Sequence, residues 1–124
     1  MKLAIIDDSM LFRKSIRRLL DSISGLEIIA EAASVKEAVS MLQNQKPDAV
    51  LLDIELPDGT GFDVVDQAYQ KNFRPRTIVL TNYPTAAYRD LAKRYKIRHF
   101  YDKTTEFIRA LEVLRDWVAR SPLI

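Results

Sequence analysis

Five times along the 124 residues a short apolar run of strand type gives way to a segment of helical periodicity. This alternation restricts the fold more than any other feature of the chain. Leu3–Ile6 is the first run. Ser9 is placed to cap a helix carrying Leu11, Phe12, Ile16, Leu19, Leu20 and Ile23, with Gly25 just past its end. Leu26–Ala30 reads as the second strand. Ser34 and Glu37 have capping-box spacing before a stripe of Val35, Ala38, Val39 and Leu42, and Pro47 closes that unit. Ala49–Leu52 is apolar at successive positions, as a parallel strand buried on both faces requires. Pro57, Gly59 and Gly61 mark a turn-rich loop, followed by a helix lined by Phe62, Val65, Ala68 and Tyr69. Thr77–Leu80 is the fourth strand, and Pro84 can open a helix with Tyr88, Leu91, Ala92 and Tyr95 on one face. Ile97–Tyr101 is the fifth strand. Thr104 or Thr105 caps a last helix that turns Phe107, Ile108, Leu111, Leu114 and Val118 inward and ends at Ser121-Pro122.

Strand-then-helix repetition with right-handed crossovers leads to an α/β fold: a doubly wound parallel five-stranded sheet of flavodoxin-like (βα)5 type, strand order 2-1-3-4-5. One domain accounts for a chain of this length. The absence of Cys and the presence of a single histidine, His99, exclude disulfides, thiolate chemistry and histidine-cluster metal sites. The longest uninterrupted apolar run is four residues, too short to span a membrane, and no secretory signal is present, so a cytoplasmic location is expected. The formal net charge is only +2, but it hides an asymmetry. Residues 1–62 carry 7 basic and 10 acidic side chains, and residues 63–124 carry 12 and 7.

In a doubly wound sheet, ligands bind at the carboxyl ends of the strands where strand order reverses. The first strand ends in Asp7-Asp8, the third in Asp53, the fourth in Thr81 and the fifth near Lys103. Order 2-1-3-4-5 sets strands 1 and 3 side by side, so three carboxylates converge. They require either a proton or a cation between them. Oxygen-only ligands select a hard cation, and Mg²⁺ held by a few carboxylates and waters fits best. Lys103 adds an ammonium and Thr81 a hydroxyl, and the ensemble suits a phosphoryl group. Taken singly, Asp7-Asp8 is a polar turn, Thr81 a strand-end hydroxyl and Lys103 a solvated side chain; only their joint placement points to chemistry.

These landmarks resemble the receiver domain of two-component response regulators: Asp7-Asp8 as the acidic pair, Asp53 as the phosphoacceptor, Thr81 as the switch hydroxyl, Lys103, and Phe100 three residues before it as the switch aromatic. Pro57 and Gly61 follow Asp53 by four and eight residues, as in many receivers. The resemblance covers residues 2 to about 120, with residues 121–124 a tail or the start of a linker. It implies that Asp53 takes a phosphoryl group from a histidine kinase's phosphohistidine. It also implies that Asp7, Asp8, Asp53 and the backbone carbonyl of Glu55 hold Mg²⁺, and that Thr81 and Phe100 then rearrange the face formed by the fourth helix, fifth strand and fifth helix. Its implied partners are a histidine kinase or phosphotransfer domain and an output protein or output domain, which in a longer chain would be DNA-binding. It admits a phosphorylation-dependent dimer. No direct nucleic-acid or membrane contact and no enzymatic turnover beyond self-phosphoryl transfer and slow self-dephosphorylation are expected.

Four places depart from the common receiver pattern. Thr104 stands where proline is usual, often after a cis bond; a cis bond before a non-proline residue costs about 2.5–4 kcal/mol, which leaves the isomer of Lys103–Thr104 open. Lys96-Ile97 replaces Gly-Ala, Asn82 replaces a smaller residue, and Glu55 and Tyr83 occupy the two positions that tune phosphate lifetime. Glu55 would repel an attacking water and Tyr83 would shield the site, which predicts a phosphate that persists for minutes or longer. Arg89, Lys93, Arg94, Lys96 and Arg98 form a basic run on the switching face, a solvated surface or a dock for an acidic partner. Arg13, Lys14, Arg17 and Arg18 form another on the first helix, where the family docks its phosphodonor. Trp117 reads as a packing residue of the last helix, and His99 as an exposed or hydrogen-bonded strand residue. Two other readings remain: an Asp-nucleophile Mg²⁺-dependent phosphatase or phosphotransferase, for which Asp53-Ile54-Glu55 lacks the second Asp of the haloacid-dehalogenase motif, and a receiver-like interaction module that works without phosphorylation.

Overall fold

The computed structural model describes residues 1–121. The strands are β1 (Lys2–Ile6), β2 (Glu27–Ala32), β3 (Ala49–Leu52), β4 (Glu55–Leu56), β5 (Gly59–Thr60), β6 (Arg76–Thr81) and β7 (His99–Asp102). The helices are α1 (Met10–Leu20), α2 (Val35–Gln45), α3 (Gly61–Gln70), α4 (Ala86–Arg94) and α5 (Phe107–Arg120). Five strands form one sheet in the order β2-β1-β3-β6-β7, every neighbour parallel. Counting only these five, the order is 2-1-3-4-5, as expected. The sequence reading missed the hairpin of β4 and β5, whose two-residue strands are too short for any periodicity to register.

Alternate strand residues divide the core into two layers. Leu3, Ile5, Ala49, Leu51, Ile78 and Leu80 face α1 and α5, packing on Ile16, Leu20, Ala110, Leu111 and Leu114. Ala4, Ile6, Val50, Leu52 and Val79 face the other way onto Ala38, Leu42, Val64, Val65 and Ala92 of α2, α3 and α4. Such burial contributes roughly 1.5–3 kcal/mol for each large apolar side chain, and a two-layer cover explains why β3 has no polar position at all.

Several boundaries and faces differ from expectation. On α1 only Ile16 and Leu20 are fully buried; Leu11 is 78% exposed and Leu19 lies open on the surface. Ile108 of α5 is also exposed, and Ala110 takes the inner position. The helix is narrower in contact than an apolar count implies, because only the stripe over the sheet meets a partner. Pro84 does not open α4; Thr85 caps it, accepting the Tyr88 N–H. Neither Thr104 nor Thr105 caps α5. Their N–H groups both donate to Asp102 Oδ1, and Glu106 stands at the cap without a side-chain bond to the helix. At α2, Ser34 accepts the Glu37 N–H as read, but Glu37 accepts from Ala33, so the box does not close on Ser34. The reciprocal box belongs to Thr60 and Asp63 at α3. The expected stop at Ser121-Pro122 is met at Ser121, which caps α5; residues 122–124 lie outside the described residues.

Candidate functional site

The register of the sheet builds the site. Ile6 pairs with Leu52 across β1 and β3, so Asp7 and Asp53 are the next residues on each chain and emerge side by side. Both are held by ladder-like bonds: Asp53 N–H donates to Ile6 O at 2.8 Å, and Asp7 N–H donates to Ala32 O at 2.9 Å. Thr81 pairs with Asp102 at the ends of β6 and β7, and Lys103 N–H donates to Thr81 O at 2.8 Å. Backbone pairing thus brings Asp7, Asp53, Thr81 and Lys103 to one rim, although the first and last are 96 residues apart in sequence. All four are buried. Asp8 is exposed at the mouth of the site.

Lys103 is the hub. Its Nζ lies 2.5 Å from Asp7 Oδ2 and 3.2 Å from Asp53 Oδ2, and it sits over the Phe12 ring at 4.4 Å from the centroid. One ammonium therefore faces two buried carboxylates. Oxygens of Asp7, Asp8 and Asp53 all lie within 4.8 Å of one another. Burial pushes the Asp53 carboxyl up to about 6. The attraction of Lys103 opposes that rise, and the negative charges of Asp7 and Asp8 add to it. A group of three carboxylates with a single ammonium among them is short of positive charge, and its all-oxygen donor set suits a hard divalent cation. The site residues fit such an ion on this geometry.

The surrounding loops fix these groups. Asp7 Oδ1 accepts the Ser9 N–H at 2.8 Å, and Ser9 in turn caps α1 through the Phe12 N–H. Gly61 is required by close approach: a Cβ there would stand 2.5 Å from the Asp53 carbonyl oxygen and 2.9 Å from Leu52 Cγ. The hairpin between them carries Asp58, whose two carboxylate oxygens accept the Val35 and Lys36 N–H groups at the start of α2. Those backbone bonds hold the Asp58 carboxyl below its usual range.

Thr81 Oγ accepts the Tyr83 N–H at 3.0 Å. Phe100 is half-buried among residues of the α4 side, with the Arg89 guanidinium over its ring at 4.8 Å. Glu55 points its carboxylate at α4 and accepts the Tyr88 hydroxyl at 2.7 Å, which raises the Tyr88 pKa. The sequence gives no signal for that bond, because 33 residues separate the partners. Tyr83 is exposed, and Asn82 Oδ1 accepts the Thr104 hydroxyl at 3.3 Å. The Lys103–Thr104 peptide is trans, as are the other peptide bonds among the described residues. Lys96 adopts a left-handed φ of 59° without the usual glycine. The basic group on α1 is half neutralised: Arg13 and Arg17 both pair with Glu31 of β2, which leaves Lys14 and Arg18 exposed without such a pair.

A buried carboxylate cluster bridged by lysine thus lies at the switch point of a doubly wound α/β sheet, where such folds place their ligand sites. The family model for the response regulator receiver domain matches residues 3–115, and the chain belongs to that family, the receivers of two-component response regulators. Receiver domains are signalling domains that work with histidine kinases and output domains. The chain is 36% identical over 83 residues to the sensory transduction protein LytT of Bacillus anthracis, a match covering 67% of this chain and 34% of that relative. It therefore spans about a third of that relative's length. Among solved structures, the response regulator domain of Thermotoga maritima CheB superposes with a TM-score of 0.84 at 23% identity, covering 98% of each chain. A chain of the CheX-CheY-BeF3-Mg+2 complex of Borrelia burgdorferi gives 0.83 at 23% identity, covering 94% of this chain and 88% of that one. No helix among the described residues is long and apolar enough to cross a membrane.

Proposed function

We propose that residues 1–120 work as a phosphorylation switch whose acceptor is Asp53. A carboxylate oxygen of Asp53 attacks the phosphorus of a histidine kinase's or phosphotransfer domain's phosphohistidine. The O–P bond forms as the N–P bond breaks, and the imidazole leaves with the electron pair. The observation that carries this reading is the buried Lys103 ammonium shared between Asp7 and Asp53 beside the exposed carboxylate of Asp8. Asp7, Asp8 and Asp53, with the backbone carbonyl of Glu55, would hold Mg²⁺. The ion would supply charge neutralisation for the phosphoryl oxygens, the main requirement of such transfers. The BeF3 and Mg+2 of the structurally similar complex are in keeping with that assignment.

Lys103 holds the acceptor's charge in place before transfer and offsets added negative charge after it. Thr81 gives up the Tyr83 N–H and turns its hydroxyl to the phosphate. The space it leaves admits Phe100, which must abandon the Arg89 guanidinium. Two packings of one fold thereby exchange population, and the face of α4, β7 and α5 reports the state to an output partner. The domain works in the cytoplasm and turns over no separate substrate. Incubation with Mg²⁺ and acetyl phosphate, followed by intact mass measurement, should show one added phosphate that Asp53→Asn abolishes. Repeated turnover of phosphate esters would support a phosphatase instead, and absence of any adduct from acetyl phosphate or kinase would leave a passive interaction module.

A further inference from the structure

At the opposite end of the sheet from Asp53, the chain builds a second charged concavity that the switch does not use. Arg76 opens β6 and Thr81 closes it, so the two ends lie roughly 16 Å apart at the rise of a strand. Here the ends of α3, β6, β7 and α5 border an open cleft of about 360 Å³. Its charged walls are Arg74, Arg76, Lys96 and Arg98, and its aromatic walls include Tyr69 and Trp117. No carboxylate lines it. None of the four cations forms an ion pair among the described residues. The acids on neighbouring turns are otherwise engaged. Asp48 accepts the Lys2 N–H, Asp66 accepts Gln70 and the Tyr95 hydroxyl, and Asp116 pairs with Arg120.

The cations are also arranged. The Arg74 guanidinium carbon lies over the Tyr69 ring at 4.1 Å from its centroid, and that of Arg76 over the Trp117 ring at 5.5 Å. Trp117 is braced in turn by the edge of His99 at 5.4 Å. A guanidinium over an aromatic ring has no carboxylate partner there, and its N–H groups can still bind phosphate in a bidentate manner. Lys96 reaches the same space from the left-handed turn before β7. Burial and the neighbouring Arg98 hold His99 below its usual pKa, so the ring stays neutral and leaves the fixed charges to the arginines and lysine. Pro75 and Ile97 complete an apolar wall suited to a flat ring.

From this juxtaposition we propose that the cleft binds a nucleotide carrying several phosphates, its phosphates on Arg74, Arg76, Lys96 and Arg98 and its base against the apolar wall of Pro75 and Ile97. The volume is that of a small-ligand site, and the basic run noted in the sequence thus divides between this cleft and the surface of α4.

Trp117 is the only tryptophan, so its fluorescence reports on this cleft alone. Titrating the full chain with ATP in the absence of Mg²⁺ should quench it saturably. Arg74→Gln and Arg98→Gln should each weaken the apparent affinity by about tenfold or more, the effect of losing a charge-assisted contact to phosphate. Asp53→Asn should titrate like the parent. Both arginines are exposed, and matching melting curves would show that the variants fold. Tripolyphosphate binding as tightly as ATP would overturn the nucleotide assignment. A linear response, or variants that titrate like the parent, would overturn the site.

Discussion

Replacing Asp53 by Asn should stabilise the metal-free protein, although it breaks a buried ion pair. The folded state pushes the Asp53 carboxyl from 3.8 to about 6, a rise that already includes the attraction of Lys103. The ionised form is therefore disfavoured in the fold by about 3 kcal/mol, at about 1.4 kcal/mol for each unit. The sign follows from linkage. Between the two values the folded state holds more protons than the unfolded state, so stability falls as pH rises from 3.8 through 6, and the whole penalty is present above that range. Asn has nearly the same shape and carries no charge, and Lys103 keeps its contact with Asp7. Near pH 7.5 the variant should gain about 2–3 kcal/mol, or roughly 8–12 °C in Tm. Near pH 4.5 the gain should shrink to about 1 kcal/mol, because Asp53 is then mostly protonated in the fold. Urea melts in EDTA at the two pH values measure this, and added Mg²⁺ should narrow the gap by favouring the native carboxylate. A variant no more stable than the parent near pH 7.5, or a gain that ignores pH, would refute the reasoning.

Lys103→Met should cost about 3–5 kcal/mol near neutral pH, since it leaves Asp7 and Asp53 facing each other without compensation; denaturant melts should show the loss and its partial recovery with Mg²⁺. Tyr88→Phe removes the bond to Glu55 and should cost about 0.5–1.5 kcal/mol in the same assay, with a changed dephosphorylation rate if α4 senses the site through Glu55. Gly61→Ala should be destabilising by more than a Gly→Ala exchange in open space, since its Cβ would stand 2.5 Å from the Asp53 carbonyl. The aspartyl phosphate should persist for minutes or longer in purified protein with Mg²⁺, and loss within seconds on a mass time course would remove the roles assigned to Glu55 and Tyr83.

What could be read ahead of the structure were features written in local pattern or in strand register. The fully apolar β3 required cover on both faces. Once the strand order was inferred, Asp7, Asp53, Thr81 and Lys103 had to meet, because parallel register aligns strand ends. Other features depended on distant partners. Leu11 and Leu19 carry the helical pattern but lie beyond the stripe that meets the sheet, so periodicity overstated the core. Arg13 and Arg17 looked like free charge until Glu31 of the adjacent strand was placed against them. The Tyr88–Glu55 bond and the capping of α2 by Asp58 join separate loops, and no spacing rule encodes either. Thr104 and Thr105 had cap chemistry, but the helix begins only at Phe107, with Glu106 at the cap position.

The position of the phosphate is the most direct test of the whole account. After reaction with acetyl phosphate and Mg²⁺, borohydride reduction and peptide mass mapping should place the modification on the peptide carrying Asp53, and on Asp53 within it. Modification at Asp7, Asp8 or any other residue, or an undiminished adduct in Asp53→Asn, would contradict the assignment.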